Sequence, residues 1–235
     1  MNHVNHKHGF TLIELMLAMG FVSTLLIAIA MTVIQMGNIY NKGLTLKEVN
    51  QAGRSMASDF QKSIAQSKPF DIEVGVGTRY IKQAWGGRLC IGQYSYIWNY
   101  GSAIYEADVT SLNVYSDPNS DKMIRFVKVN DPNASYCTIS QKKVDYDNAV
   151  ELLSVGEHNL AIHDFSISSS DSTTDTKTGQ QLYSLEFIVG TNDQSALTSA
   201  SGDMMCIVPG QTGADPAYCS VSRFNIVALA GNTFQ

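Results

Sequence analysis

The chain has 235 residues, 44% of them hydrophobic, enough for one fair-sized core within the usual size of a single domain. Only 16% of the residues are charged and the formal net charge is −5, so the clustered Lys and Arg that nucleic-acid binding requires are missing. The densest basic spot beyond the N-terminus is Lys142-Lys143, which reads as a solvated turn.

Residues 1–9 are polar and carry no acidic residue. They are followed by a 27-residue apolar run, Phe10 to Met36, in which Glu14 is the only charge. As a helix that run spans ~40 Å, more than the ~30 Å hydrocarbon core of a bilayer. It is too long for a secretory h-region, and no small-residue cleavage site follows it. Glu14 is costly there: a carboxylate at the bilayer centre costs about 2.5–3.5 kcal/mol unless it finds a partner. Gly9 directly precedes the run. A cut after it would make Phe10 a new N-terminus, one helical turn from Glu14. In a staggered stack of parallel helices that α-amine could face the carboxylate of a neighbour.

The segment His8-Gly9-Phe10-Thr11-Leu12-Ile13-Glu14-Leu15 resembles the prepilin motif of type IV pilins and type II secretion pseudopilins. The resemblance implies that a membrane-embedded prepilin peptidase cuts between Gly9 and Phe10 and methylates the Phe10 amine. It implies that the apolar run anchors the subunit as a single-pass precursor in the cytoplasmic membrane, with the head outside. The same run later forms the core of an extracellular or periplasmic filament. Glu14 falls at the family's glutamate position and would pair with the Phe10 amine of an adjacent subunit. Two departures stand out. His8 occupies a place where Lys or Arg is common, and no proline occurs before Pro69, which weakens the case for a major pilin. Lys7, Lys42, Lys47 and Arg54 leave orientation undecided by charge alone.

Beyond Met36 the pattern turns amphipathic. Val49, Ala52, Met56, Phe60 and Ile64 recur at helical spacing, with Lys47, Asn50, Arg54, Asp59 and Lys62 off the stripe. Lys68-Pro69 predicts an end near Ser67. Gly43 and Gly53 need packing to support them in a helix. The stretch Asn50 to Ala65 is similar to the helix of J-type (PilW-like) minor pilins.

From residue 68 to 235 short β-type runs alternate with Gly, Asn, Asp and Ser. Strands are expected at Ile72–Val76, Arg88–Ile91, Tyr94–Tyr100, Ile124–Val129, Leu182–Val189, Met204–Val208 and Phe224–Leu229. A further alternating run, 161–168, slips phase at His163-Asp164, as a β-bulge would make it do. Ser168–Gln181 and Thr191–Gly202 read as polar connections. The fold class expected is α+β: a long N-terminal membrane-spanning helix packed on an antiparallel β-sheet head, which matches the lollipop shape of pilins. The domain plan is a cleaved leader 1–9, a helix 10–67 with 10–36 in the membrane, and a head 68–235.

The four cysteines lack C-x-x-C spacing, and their even number points to disulfides formed outside the cytoplasm. Three pairings are open. The short turn-rich loop favours Cys206 with Cys219, which leaves Cys90 for Cys137. A C-terminal disulfide loop also resembles the variable region of pilins.

No catalytic motif is present, so no enzyme is expected. His158 and His163 read as ordinary surface residues near strand ends. Asp117-Pro-Asn119-Ser-Asp121 opens like a calcium loop and then fails, with Lys122 at the glycine place and Lys128 at the glutamate place. No cofactor or metal is therefore expected, although some pseudopilins bind calcium. Tyr94, Tyr96, Trp98 and Tyr100 share one strand face, either core-facing or, with Tyr105, a binding surface. Together these features imply a minor pilin or pseudopilin with the prepilin peptidase, other pilin subunits and the membrane as partners. The alternatives are a filament-displayed adhesin, a DNA-uptake receptor, or a major pilin.

Overall fold

The apolar and amphipathic patterns join without a break. Helix α1 runs over Leu12–Ala65, ending two residues before the expected Ser67. The structure, a computed structural model, describes residues 11–73, 79–106, 115–116, 123–138, 143–153, 156, 158–169, 179–200 and 203–231. Gly9, Phe10, the Asp117–Asp121 turn and the middle of the 168–181 connection lie outside the described residues.

The chain divides into two units, 1–41 and 42–235. In the first, α1 is exposed throughout, and its large apolar side chains from Leu12 to Tyr40 are 46–78% exposed. It is the one helix among the described residues that is long and apolar enough to cross a membrane. Its hydroxyls are satisfied by its own backbone. Ser23 donates to the Met19 carbonyl at 2.8 Å and Thr32 to that of Ala28 at 2.9 Å. That arrangement suits a segment with no water around it.

In the second unit the helix buries the expected stripe: Val49, Met56, Phe60 and Ile64, joined by Thr45, Gly53 and Ser63. One antiparallel sheet was the expectation, and two are found against this stripe. The first has five strands in chain order: β1 (Tyr80–Gln83), β2 (Gly86–Ile91), β3 (Tyr94–Asn99), β4 (Phe126–Asn130) and β5 (Ala149–Leu153). The second is built from β6 (Leu160–Ser169), β7 (Gln181–Thr191) and β10 (Val221–Ala230) in the order β10-β7-β6. A parallel bridge between Tyr100 and Ile162 joins them. A small hairpin, β8 (Leu197–Ala200) and β9 (Asp203–Cys206), lies between β7 and β10 in the chain. Two short helices, α2 (Gly101–Glu106) and α3 (Ser135–Thr138), complete the described elements.

Phe60 holds this arrangement together. Its ring lies 4.6 Å from Tyr96 and 5.8 Å from Phe126 in the first sheet, and 5.4 Å from Phe165 and 5.9 Å from Phe187 in the second. Burying such a side chain contributes roughly 1.5–3 kcal/mol, and each aromatic pair adds about 0.5–1.5 kcal/mol.

Two local expectations are corrected, one strand is added and one expectation holds. Ile72 is not in a strand. The first strand is Tyr80–Gln83, which pairs with Gly86–Ile91 across a tight turn. Thr191–Gly202 is not simply a connection, because it holds a 3-10 turn at Gln194–Ala196 and then β8. Ala196 and Leu197 pack with Cys219 there, giving this polar stretch an apolar anchor. β5 lacks clean alternation and went unrecognised. The bulge on β6 is present: Ile162 pairs with Val189 and Asp164 with Ile188, so His163 is the extra residue.

Gly53 shows why a poor helix former sits on the buried face. A Cβ built there would meet the Phe224 ring at 2.1 Å, and Phe224 is itself stacked on Phe187 at 5.3 Å. Gly53→Ala gains about 1 kcal/mol of helix propensity, but overpacking of a filled site costs about 1–3 kcal/mol. The melting temperature of the full chain should therefore fall, by roughly 2–4 °C for each kcal/mol of net loss. Gly43→Ala, with nothing within 4 Å of the added methyl, should leave it unchanged or raise it. Equal effects of the two substitutions in thermal unfolding would refute this account.

Candidate functional site

The N-terminal end of α1 is built around Thr11 and Glu14. The Thr11 backbone N–H donates to Glu14 Oε2 at 2.9 Å and the Thr11 hydroxyl to the same oxygen at 2.8 Å. The Glu14 N–H approaches Thr11 Oγ1 at 3.4 Å. This is a reciprocal capping box, in which each side chain covers a backbone donor at the start of the helix. Its signature, Thr11-x-x-Glu14 at the start of the apolar run, is present in the sequence. Glu14 thus has a local role in addition to any role between chains, and it is the only Asp, Glu, Lys, Arg or His from Thr11 to Asn41.

In the second unit the charged side chains are drawn into structural ties. Lys128 on β4 reaches both carboxylate oxygens of Asp59 on α1 at 3.0 Å, with Ser63 Oγ at 3.2 Å. Its ammonium stands 4.0 Å from the centre of the Tyr94 ring. The Tyr96 hydroxyl lies 2.6 Å from both Asp59 Oδ2 and Ser63 Oγ. Burial and then the Asp59 hydrogen bond push the Tyr96 pKa well above the ordinary tyrosine value, so the hydroxyl stays protonated. The cluster is closed and satisfied, and it fixes how the helix sits on the first sheet. Asp59 lies off the buried stripe of α1, as its spacing predicts. Its partner comes from 69 residues away, which no local pattern reveals.

The aromatic face of β3 belongs to the core. Tyr96 and Trp98 are fully buried and Tyr100 is 6% exposed, which overturns the binding-surface alternative for this strand. Tyr105 is exposed but does not join that face.

The four cysteines form two disulfides, Cys90–Cys137 and Cys206–Cys219. Asp131 sets up the first. Its carboxylate accepts from Ser95 Oγ at 2.8 Å and from the Ser135 and Tyr136 N–H groups at 2.9 and 3.0 Å, orienting α3 so that Cys137 meets Cys90. Burial opposes ionisation of Asp131. The bonds from Ser135, Tyr136 and Ser95 outweigh it and hold the carboxyl below its ordinary pKa.

Both histidines are engaged, contrary to their reading as ordinary surface. His158 Nδ1 pairs with Glu48 of α1, and its side chain is only 12% exposed. His163 occupies the bulge of β6, with Nε2 3.0 Å from the Thr191 carbonyl oxygen. Nε2 is therefore the protonated nitrogen of the neutral ring. A cavity of about 180 Å³ opens beside His158, Asp193, Asp215 and Tyr218. It falls short of the ~300 Å³ at which small-molecule sites begin. Among the described residues no group of three His, Cys, Asp or Glu is placed to hold a metal ion.

No family model, curated protein or solved structure matches this chain.

Burial pushes the His163 pKa down to about 4, against about 6.5 for an unfolded chain. The folded state thus favours the neutral ring. That contribution is fully present above pH 6.5 and is lost as pH falls toward 4. Between pH 7.5 and 4.5 the loss is on the order of 2–3 kcal/mol. Denaturant unfolding of the full chain at the two pH values should show it as an excess over His163→Gln, which has no such titration. An identical pH dependence in the two proteins would count against it.

Proposed function

We propose that this chain is a minor pilin or pseudopilin: a structural subunit processed by prepilin peptidase that takes part in initiating or assembling a type IV pilus or pseudopilus. The observation that carries this reading is the first unit. An apolar helix from Leu12 to Tyr40 covers none of its large side chains, yet it keeps one carboxylate at its start. In the membrane, lipid covers those side chains. In a filament, parallel copies of the same helix do so, and the carboxylate meets a neighbour's amine. The Gly9-Phe10 junction supplies that amine once the leader is removed. The second unit suits a structural role, since its buried polar groups are spent on holding α1 and the sheets together.

Coexpression with a prepilin peptidase, followed by mass spectrometry of the N-terminus, tests the first step. Cleavage before Phe10 with an added methyl mass is expected, and Gly9→Ala should abolish it. An uncut wild-type chain, or a cut elsewhere, withdraws the proposal.

The capping box makes a sharper test of Glu14 possible. Glu14→Gln keeps a side chain able to cap and removes the charge. A charge-assisted bond contributes about 1.5–3 kcal/mol, so incorporation into filaments should fall roughly tenfold to a hundredfold, as in Glu14→Ala, while cleavage continues. If Glu14→Gln assembles like wild type and only Glu14→Ala fails, Glu14 is a helix cap and no subunit pairing exists.

A further inference from the structure

The part of α1 that belongs to the second unit keeps its charges apart by sign. Lys47, Arg54 and Lys62 are exposed. At helical spacing they project away from the stripe of Val49, Met56 and Phe60 that meets the sheets. From Lys47 to Lys62 the helix rises ~22 Å, and Gln51, Ser58 and Gln61 between them are exposed and uncharged. The two carboxylates of this stretch are taken. Glu48 pairs with His158, and both oxygens of Asp59 lie 3.0 Å from the Lys128 ammonium. Among the described residues, Lys47, Arg54 and Lys62 have no salt-bridge partner. A helix face built only for solvent mixes signs at three- and four-residue spacing, because such pairs stabilise it. Here Lys62 alone has an acid at that spacing, Asp59, and Lys128 holds it.

The rest of the second unit has the opposite sign. Of the chain's 21 Asp and Glu, all but Glu14, Glu48 and Asp59 lie in residues 66–235. Of its 16 Lys and Arg, all but Lys7, Lys42, Lys47, Arg54 and Lys62 lie there, leaving 18 acidic against 11 basic residues and a formal charge of −7. Among the described residues Arg88 and Arg125 are buried, and Asp131 is the one buried acid of this region. Burial therefore removes more positive than negative charge from its surface. A cationic strip and an acidic exterior on one chain are complementary between copies. An extended polyanion, whether nucleic acid or an anionic lipid surface, would meet the strip together with the acidic surroundings that repel it.

We propose that the Lys47–Arg54–Lys62 strip is an interface for a second copy of this chain, which it contacts through acidic residues of 66–235. The inference rests on the second unit alone and is independent of leader cleavage.

Sedimentation of the full chain in micelles of an uncharged detergent tests this at two ionic strengths, about 0.02 M and about 0.5 M, where charges act across ~20 Å and ~4 Å. Wild type should self-associate at low salt and dissociate at high salt. Arg54→Glu should weaken the low-salt association about tenfold, and Arg54→Lys should retain it. Lys143→Glu changes the net charge as much at an exposed position off the helix, and should not weaken it. Carbodiimide coupling in a mixture of light and heavy-isotope chains should join Lys47 or Lys62 of one copy to an acid within 66–235 of another. A chain that is monomeric at low salt overturns the proposal. Equal weakening by Arg54→Glu and Lys143→Glu would reflect overall charge and overturns it as well. Association that survives both high salt and Arg54→Glu belongs to the apolar run, with the same consequence. If wild type stays monomeric yet binds a DNA duplex or phosphatidylglycerol vesicles through Arg54, the strip serves a polyanion and the second-copy assignment fails.

Discussion

Phe60 is the residue on which the second unit depends. A helix can bury one stripe, and here that stripe meets two sheets at once, so the rings of Tyr96, Phe126, Phe165 and Phe187 converge on one side chain. The consequences spread outward along α1. Gly53 makes room for Phe224, and Ser63 and Asp59 take up the hydroxyl of Tyr96 and the ammonium of Lys128. The polar ties form at the margins of the aromatic cluster, where partial burial strengthens a hydrogen bond without stranding a charge. The two disulfides then secure peripheral segments, α3 against β2 and the 207–218 loop beside the β8–β9 hairpin.

The first unit obeys the opposite constraint. Its apolar side chains find nothing to cover them within residues 11–41, and the hydroxyls of Ser23, Thr24 and Thr32 turn back onto the helix backbone. Its backbone and its Ser and Thr hydroxyls are satisfied within the helix, as a bilayer requires of any segment that spans it. The proposed membrane insertion and the proposed filament packing both answer one requirement, cover for those apolar side chains.

Much of this was legible residue by residue. The run from Phe10 to Met36, its lone Glu14 and the stripe Val49-Met56-Phe60-Ile64 follow from periodicity and from the cost of a charge in lipid. The phase slip at His163 identified a bulge because alternation in a strand admits no other reading of two shifted apolar pairs. β5 and β8 were not legible. Each is short and lacks clean alternation, and each becomes a strand through its partner. That Asp59 would be tied to another element, and that His158 and His163 would not be surface residues, was not legible, because their partners Lys128, Glu48 and Thr191 lie far away in the chain.

The sequence by itself determined the one-dimensional features: where the chain is apolar, where the helix must run, which positions face inward, and that the cysteines are even in number. These depend on neighbours within a few residues, where spacing alone sets which side chains share a face. Only the tertiary structure decided that one helical stripe serves two sheets, that the aromatic face of β3 is core rather than surface, and that Cys90 meets Cys137. Those outcomes depend on contacts between residues tens of positions apart, and their energy appears only after the chain has closed the loops between them.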